Sequence, residues 1–238
     1  MQYSTFAAID IGSYDVILEI FEISKKQGIR SVDKICHRME LGKDTYTLGK
    51  IRPEMEEELC RVLADFVRIM EGYRVDDYRA TASSAISEAS NSLYVLGKIH
   101  QLTGLSVTVL SNSEQRFLSY KALAAMEDNF NKIIEKGTAI LDLDGGSFQI
   151  SLFDKDALVT TQNIRMGSLR IRERLAGIQS ETEHYEEMVE ELIWNEVSSF
   201  KKMYLKDRKI ENIMLIGDVF TDSVYQNIEE KTTKIISR

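Results

Sequence analysis

At 238 residues the chain is long enough for one large domain or two medium ones with a substantial core. Hydrophobic content of 43% with 29% charged residues is that of a water-soluble globular protein. No apolar run is long enough to span a membrane, and the N-terminus lacks the order of a signal peptide. A net charge of −8 without a basic cluster argues against a nucleic-acid surface, although a small local cationic site can hold phosphate against that field.

In chain order, residues 6–11 read as an apolar strand carrying Asp10, Gly12-Ser13 as a turn, and residues 15–21 as an alternating strand. Residues 29–40 continue as a third strand and residues 41–50 as a polar connector. Pro53 fits the first turn of a helix that runs to about residue 73 and is closed by Gly72. Its apolar positions, from Met55 to Met70, recur at helical spacing and mark a core contact. A short strand at 77–82 leads into a small-residue loop at 82–91. A helix at 91–102, capped by Gly104, and a strand at 105–110 follow. Ser111-Asn112-Ser113 then supplies N-cap chemistry for a helix at 114–126.

A second series opens at residues 139–143, an apolar strand carrying Asp142 near its end. An Asp-Gly-Gly turn and an alternating strand at 148–153 come next. Further elements are a strand at 157–166, a loop and short helix at 167–175, and a long helix at 181–204 whose leading glutamates suit the helix dipole. A strand at 210–216, a helix at 220–229 and a short strand at Ile235-Ile236 complete the series. The last helix of the first series has no counterpart, as in a piece of a longer protein or a natural short form.

Two hairpins of one pattern, about 130 residues apart, point to a duplicated α/β protein with a cleft between its halves. Asp142 closes an apolar run, where a carboxylate is costly to bury without a metal, water or donor. Gly145 and Gly146 let the backbone turn sharply beside a ligand, Ser147 adds a hydroxyl, and the turn's amides can hold an anion. The competing reading gives Asp10 and Asp142 only local turn chemistry. For Glu114 the competing reading is an ordinary first-turn residue favoured by the dipole.

The ordered motifs AIDIGS, Ser-Ala-x-x-Glu-Ala-x-Asn, L-S-x-x-E and DxxGGS resemble those of the exopolyphosphatase/guanosine pentaphosphate phosphatase (Ppx/GppA) family. That family belongs to the actin-like ATPase superfamily. The resemblance implies an α/β fold of two ribonuclease-H-like domains with an interdomain cleft, here at 1–128 and 129–238, the second lacking its last helix. It implies hydrolysis of the terminal phosphate of polyphosphate or guanosine pentaphosphate, usually with Mg²⁺, in a cytoplasmic protein and with a homodimer as one outcome. Carried across, Asp10, Gly12, Ser13 and Tyr14 fall in the first phosphate hairpin and Ser84 in the second motif. Glu114 and Gln115 fall in the third; Gly145, Gly146, Ser147 and Gln149 fall in the fourth. Asp10, Asp142 and Asp144 are the metal candidates.

The departures bear on chemistry. Tyr14 stands for the family's Asn, Ser87 for a phosphate-contacting Arg, Gln115 for the glutamate proposed as general base, Asp144 for Gly and Gln149 for Glu. A carboxylate base contributes roughly 10²–10⁴-fold, and Gln cannot accept that proton at neutral pH. Gln149 removes a carboxylate suited to Mg²⁺, and the loss at position 87 removes a bidentate phosphate clamp. Glu114 could stand in as base by a shift of register. The two readings are a phosphohydrolase with weak or lost activity, or a non-catalytic sensor or scaffold. His37, His100 and His184 fit no metal spacing. Cys36 and Cys60 read as partly buried thiols and Trp194 as packing; Arg165, Arg170, Arg172 and Arg174 read as a solvated helix face, with cationic contact to a phosphate chain as the competing reading.

Overall fold

The computed structural model describes residues 3–127, 129–179, 184–206, 208–217 and 233–237. The chain divides into two compact units, Met1–Ser113 and Glu114–Arg238.

The first unit is built on strands β1 (Ser4–Ile11), β2 (Asp15–Ser24), β3 (Gly28–Arg38), β4 (Asp77–Ala82) and β5 (Val107–Val109), in the order β3-β2-β1-β4-β5. The first three pair antiparallel, while β4 and β5 add in parallel. Alternation decides which face is covered: Ala7, Ile9 and Ile11 point inward beside Val16, Leu18 and Ile20 of the neighbouring strand. Against them pack α2 (Pro53–Gly72) and α4 (Ser92–Thr103). Pro53 sits at the start of α2, where its missing N–H costs nothing, and Leu59, Leu63, Phe66 and Met70 form its buried stripe. Gly104 ends α4 in the left-handed conformation, donating its N–H to His100 O.

Residues 41–50 are not a polar connector. They form α1 (Leu41–Leu48), which buries Leu41, Gly42, Asp44 and Thr45. Asp44 tolerates burial because Arg52 donates to it from its backbone N–H and its guanidinium, both at 2.9 Å. Thr45 Oγ1 donates to Ala85 O at 2.6 Å. The small-residue loop likewise contains one helical turn, α3 (Ser84–Ser87), and the strand at 105–110 shortens to β5.

The second unit repeats the plan with β6 (Thr138–Leu143), β7 (Phe148–Asp154), β8 (Ala157–Ile164), β9 (Asn212–Gly217) and β10 (Thr233–Ser237). Read as β8-β7-β6-β9-β10, the order and pairing senses match those of the first sheet. Strand β7 is buried from Phe148 to Phe153, as expected of a strand covered on both faces. One face carries Phe153 with Leu123 of α5 (Asn112–Met126) and Phe130 of α6 (Phe130–Ile134), a short helix with no counterpart in the sequence reading. The other carries Phe148, Ile150 and Leu152 with Phe200 of α8 (Tyr185–Tyr204). The sequence reading puts the helix at 114–126 in the first half. In the structure its Leu123 and Tyr120 pack in the second unit's core.

The short helix at 167–175 extends as α7 (Ser168–Gln179). The helix expected at 220–229 lies outside the described residues. Trp194 is not packing: it is 63% exposed on α8. The two cysteines differ, Cys60 being buried and Cys36 exposed. No helix among the described residues is long and apolar enough to cross a membrane.

Candidate functional site

Asp10 and Asp142 each lie near the carboxyl end of the strand that joins the antiparallel and parallel parts of its sheet, the end at which open α/β sheets take ligands. Both following turns are built alike. The amide of Gly12 donates to Asp15 O at 2.9 Å, and that of Asp144 to Ser147 O at 3.0 Å. The flanking register also agrees, Asp10 facing Ile17 and Asp142 facing Gln149. Gly12 therefore corresponds to Asp144 and Asp15 to Ser147. Ser13 and Ser147 are therefore not equivalent, and Ser13 corresponds to Gly145.

In the first turn a Cβ on Gly12 would stand 3.0 Å from Asp15 O, so a side chain there would crowd the backbone. Ser13 is 1% exposed, with Oγ 2.7 Å from Tyr46 OH. The same phenol lies 2.8 Å from Ser84 Oγ. A residue of α1 that the sequence reading passed over thus joins the first hairpin to the second motif. The Tyr14 carbonyl accepts the amides of Met39 and Glu40, and its ring lies under the Arg38 guanidinium. Asp10 is exposed and receives Thr81 Oγ1 at 3.4 Å; Ser87, at the place of the expected Arg, is exposed.

The second turn is held from outside and from within. Arg170 donates its Nε to Gly146 O at 2.9 Å and its amide to Gly145 O at 3.1 Å, so this arginine is a brace rather than part of a solvated face. Gly167 presses on the Asp144–Gly145 peptide so closely that a Cβ would stand 2.4 Å from Asp144 O. Ser147 Oγ accepts from Asn163 Nδ2 at 3.2 Å. Within the turn, Asp144 Oδ1 accepts the Gly145 amide at 2.6 Å. A carboxylate of the protein thus holds one of the amides that an anion would use.

Asp142 is 8% exposed and Gln149, opposite it on the same face, 7%. Ser119 Oγ of α5 donates to Asp142 Oδ2 at 3.3 Å. Gln115 lies one helical turn before Ser119, and Leu123 one turn after, so all three share the stripe of α5 that faces Asp142. Glu114 is exposed on the neighbouring stripe. The structure therefore brings Asp142, Gln149, Ser119 and the stripe of Gln115 together, and leaves Glu114 off that stripe. Nearby, Tyr120 OH donates to Ser151 Oγ at 2.6 Å, and burial raises the phenol above its ordinary pKa.

Among the described residues no three His, Cys, Asp or Glu side chains are gathered to hold a metal. Mg²⁺ needs no such cage, since it takes one or two carboxylates and fills its shell with water and phosphate oxygens. Buried Asp142 fits that use. Asp144 fits it less well while its Oδ1 serves the Gly145 amide.

With this geometry in view, residues 19–238 match the model of the Ppx/GppA phosphatase family. The chain belongs to that family. Similar curated proteins include a bifunctional 3-dehydroquinate synthase/phosphatase of Fusobacterium nucleatum, 22% identical over 94% of this chain and 34% of that protein. Exopolyphosphatase 1 of Mycobacterium leprae is 25% identical over 60% of this chain and 41% of its own length. The chain thus spans between a third and about two fifths of the curated relatives it matches. The Ppx/GppA family member of Aquifex aeolicus shares the fold with a TM-score of 0.70 at 22% identity, over 96% of this chain and 72% of that one. An exopolyphosphatase from Cytophaga hutchinsonii reaches 0.75 at 18% identity, over 90% of this chain and 66% of that one. The two matching sheets are those of the actin-like fold of these Ppx/GppA structures.

Proposed function

We propose that this Ppx/GppA-family chain binds the terminal phosphate of inorganic polyphosphate or guanosine pentaphosphate and hydrolyses it weakly. In this reading Gly12, Ser13 and Tyr14 shape one phosphate-holding turn, and Gly145, Gly146 and Ser147 the other. Ser13 and Ser84 act through the Tyr46 hydroxyl. The amides of Gly146 and Ser147 are the ones left to meet a phosphoryl oxygen once Asp144 has taken that of Gly145. Asp142 is the residue suited to hold Mg²⁺, which when bound neutralises phosphate charge; Asp10 and Asp144 are further candidates.

The observation that carries weak turnover is the identity of residue 115. The α5 stripe that reaches Asp142 through Ser119 presents Gln115, which can hydrogen-bond a water but cannot take its proton. Gln149, opposite Asp142, is neutral as well. Two carboxylates are thereby missing around the buried carboxylate of Asp142. A reducing cytoplasm, where Cys36 and Cys60 stay reduced, is the setting this reading implies.

The test is phosphate release from polyphosphate and from guanosine pentaphosphate with Mg²⁺ or Mn²⁺, run beside calorimetric binding. Expected is binding with slow release, and a gain of roughly 10²–10⁴-fold in kcat for Gln115→Glu combined with Gln149→Glu. Absence of binding to either ligand overturns the proposal. Binding with no release from the wild type or the double variant leaves a non-catalytic sensor in its place.

A further inference from the structure

Asp142 lies on the face of the second sheet that α5 covers, and that face changes character along its length. At one end it is apolar, with Ile140 and Phe153 meeting Leu123 of α5. Toward the second turn it is polar, with Asp142, Gln149 and Ser151 all buried. Polar groups are costly to bury unless other groups answer them, and a helix needs only apolar contact to hold a sheet. The polar half therefore has a use other than packing.

A cation is set into it. Arg116 of α5 donates Nη1 to Thr161 Oγ1 of β8 at 3.0 Å, and that hydroxyl lies 3.2 Å from Ser151 Oγ. Burial raises the Tyr120 phenol, Arg116 draws it back down and Asp142 pushes it further up, so both charges are within electrostatic reach of one hydroxyl. Near the amino end of α5 a cation works against the helix dipole, so Arg116 is not there to steady its own helix.

Strand β8 ties this cation to the turn. Thr161 and Asn163 lie on one face of the strand, two residues and so about 7 Å apart. Asn163 Nδ2 in turn donates to Ser147 Oγ of the turn. A phosphate chain whose terminal unit meets the Gly146 and Ser147 amides is long enough to bring its inner units to Arg116, whereas a single phosphate is not. Arg170 does not fill this role, because its Nε is bound to Gly146 O on the carbonyl side of the turn.

We infer that Arg116 is a specificity-determining residue of the phosphate site, its guanidinium contacting inner phosphoryl groups of a chain whose end lies at the second turn. The planar fork of a guanidinium matches phosphoryl oxygens in pairs, which the point charge of a lysine does not. The site thereby favours a linear run of phosphates over orthophosphate. This inference rests on the phosphate reading.

Calorimetry of the whole chain with tripolyphosphate and with orthophosphate tests it. Expected for Arg116→Gln is a loss of at least about tenfold in tripolyphosphate affinity and of no more than about twofold for orthophosphate, with circular dichroism unchanged. The remaining tripolyphosphate affinity should fall less steeply with added salt, since one charge contact fewer is left to screen. Arg116→Lys, which gives up the same fit to Thr161 but keeps the charge, should recover part of the loss. Unchanged tripolyphosphate affinity in Arg116→Gln overturns the inference alone. So does an equal loss on both ligands, or an equal loss in the Gln and Lys variants, which would make Arg116 a structural residue. A wild type that binds neither ligand overturns the phosphate reading and this inference with it.

Discussion

The carboxylate of Asp144 accepts the amide of Gly145 at 2.6 Å, inside a turn whose backbone would otherwise serve an anion. The equivalent position in the first turn is Gly12. The second turn therefore carries its own negative charge, which repels phosphate and occupies a donor. Like charges 4 Å apart cost about 1 kcal/mol even in bulk water and more near a protein surface. Asp144→Gly is expected to tighten polyphosphate binding at least about fivefold at low salt, with the gain shrinking as salt is added. Calorimetry of both proteins at two ionic strengths measures it. An unchanged affinity would place the anion elsewhere.

Tyr46 ties together two segments that are distant in sequence, through Ser13 at 2.7 Å and Ser84 at 2.8 Å. Ser13 is nearly inaccessible to water, so losing its partner leaves a buried hydroxyl unsatisfied. Tyr46→Phe keeps the ring and removes the hydroxyl that meets both serines. The expected cost is about 1–3 kcal/mol of stability, read as a lower urea midpoint at unchanged slope. If the turn is also a phosphate site, affinity for polyphosphate falls in the same variant.

Much of this architecture is legible in the residues, and what is not has a common cause. The hairpins declare themselves because Ala7, Ile9 and Ile11 alternate and because short turns follow Asp10 and Asp142. Helix α2 does so through its periodic apolar stripe. Helix α1 does not, because polar residues carry part of its burial and their partners are far along the chain. Asp44 is satisfied by Arg52, and Thr45 by Ala85. Arg170 is hidden in the same way: an arginine in a charged helix reads as solvated until its bond to Gly146 O is seen. Trp194 misled in the opposite direction, since an apolar residue in a helix reads as core until it is seen to lie on that helix's exposed side. Periodicity reports which faces are apolar, and not which polar atoms find each other.

Gly167 makes a prediction of the opposite sign to that for Asp144. Alanine there would drive a Cβ to 2.4 Å from the Asp144 and Gly145 backbone, which has no flexible end to give way. Gly167→Ala is expected to cost at least about 1–3 kcal/mol, as overpacking does. It should also displace the second turn and weaken phosphate binding, whereas Gly177→Ala, where the added Cβ meets nothing within 4 Å, should do neither. Thermal melts and calorimetry of the two variants separate a local fault in the turn from a general intolerance of alanine.

The two cysteines and Tyr120 give a prediction in pH. Burial raises the Cys60 thiol, an effect that Lys98 offsets only in part, and burial likewise raises the Tyr120 phenol. Both groups hold their protons more tightly in the folded chain than in the unfolded one. Their contribution is complete below the unfolded values, roughly 8.5 for a thiol and 10 for a phenol, and is lost as pH climbs through the folded ones. Stability should therefore decline above about pH 9, and Tyr120→Phe should flatten the later part of that decline. Urea midpoints from pH 7 to 11 show whether it does. Thiol labelling at pH 8 gives the same contrast without unfolding, because the thiolate is the reactive form. Exposed Cys36 should react at once and Cys60 only after denaturant is added. Rapid labelling of both thiols in the folded chain would contradict the packing of α2.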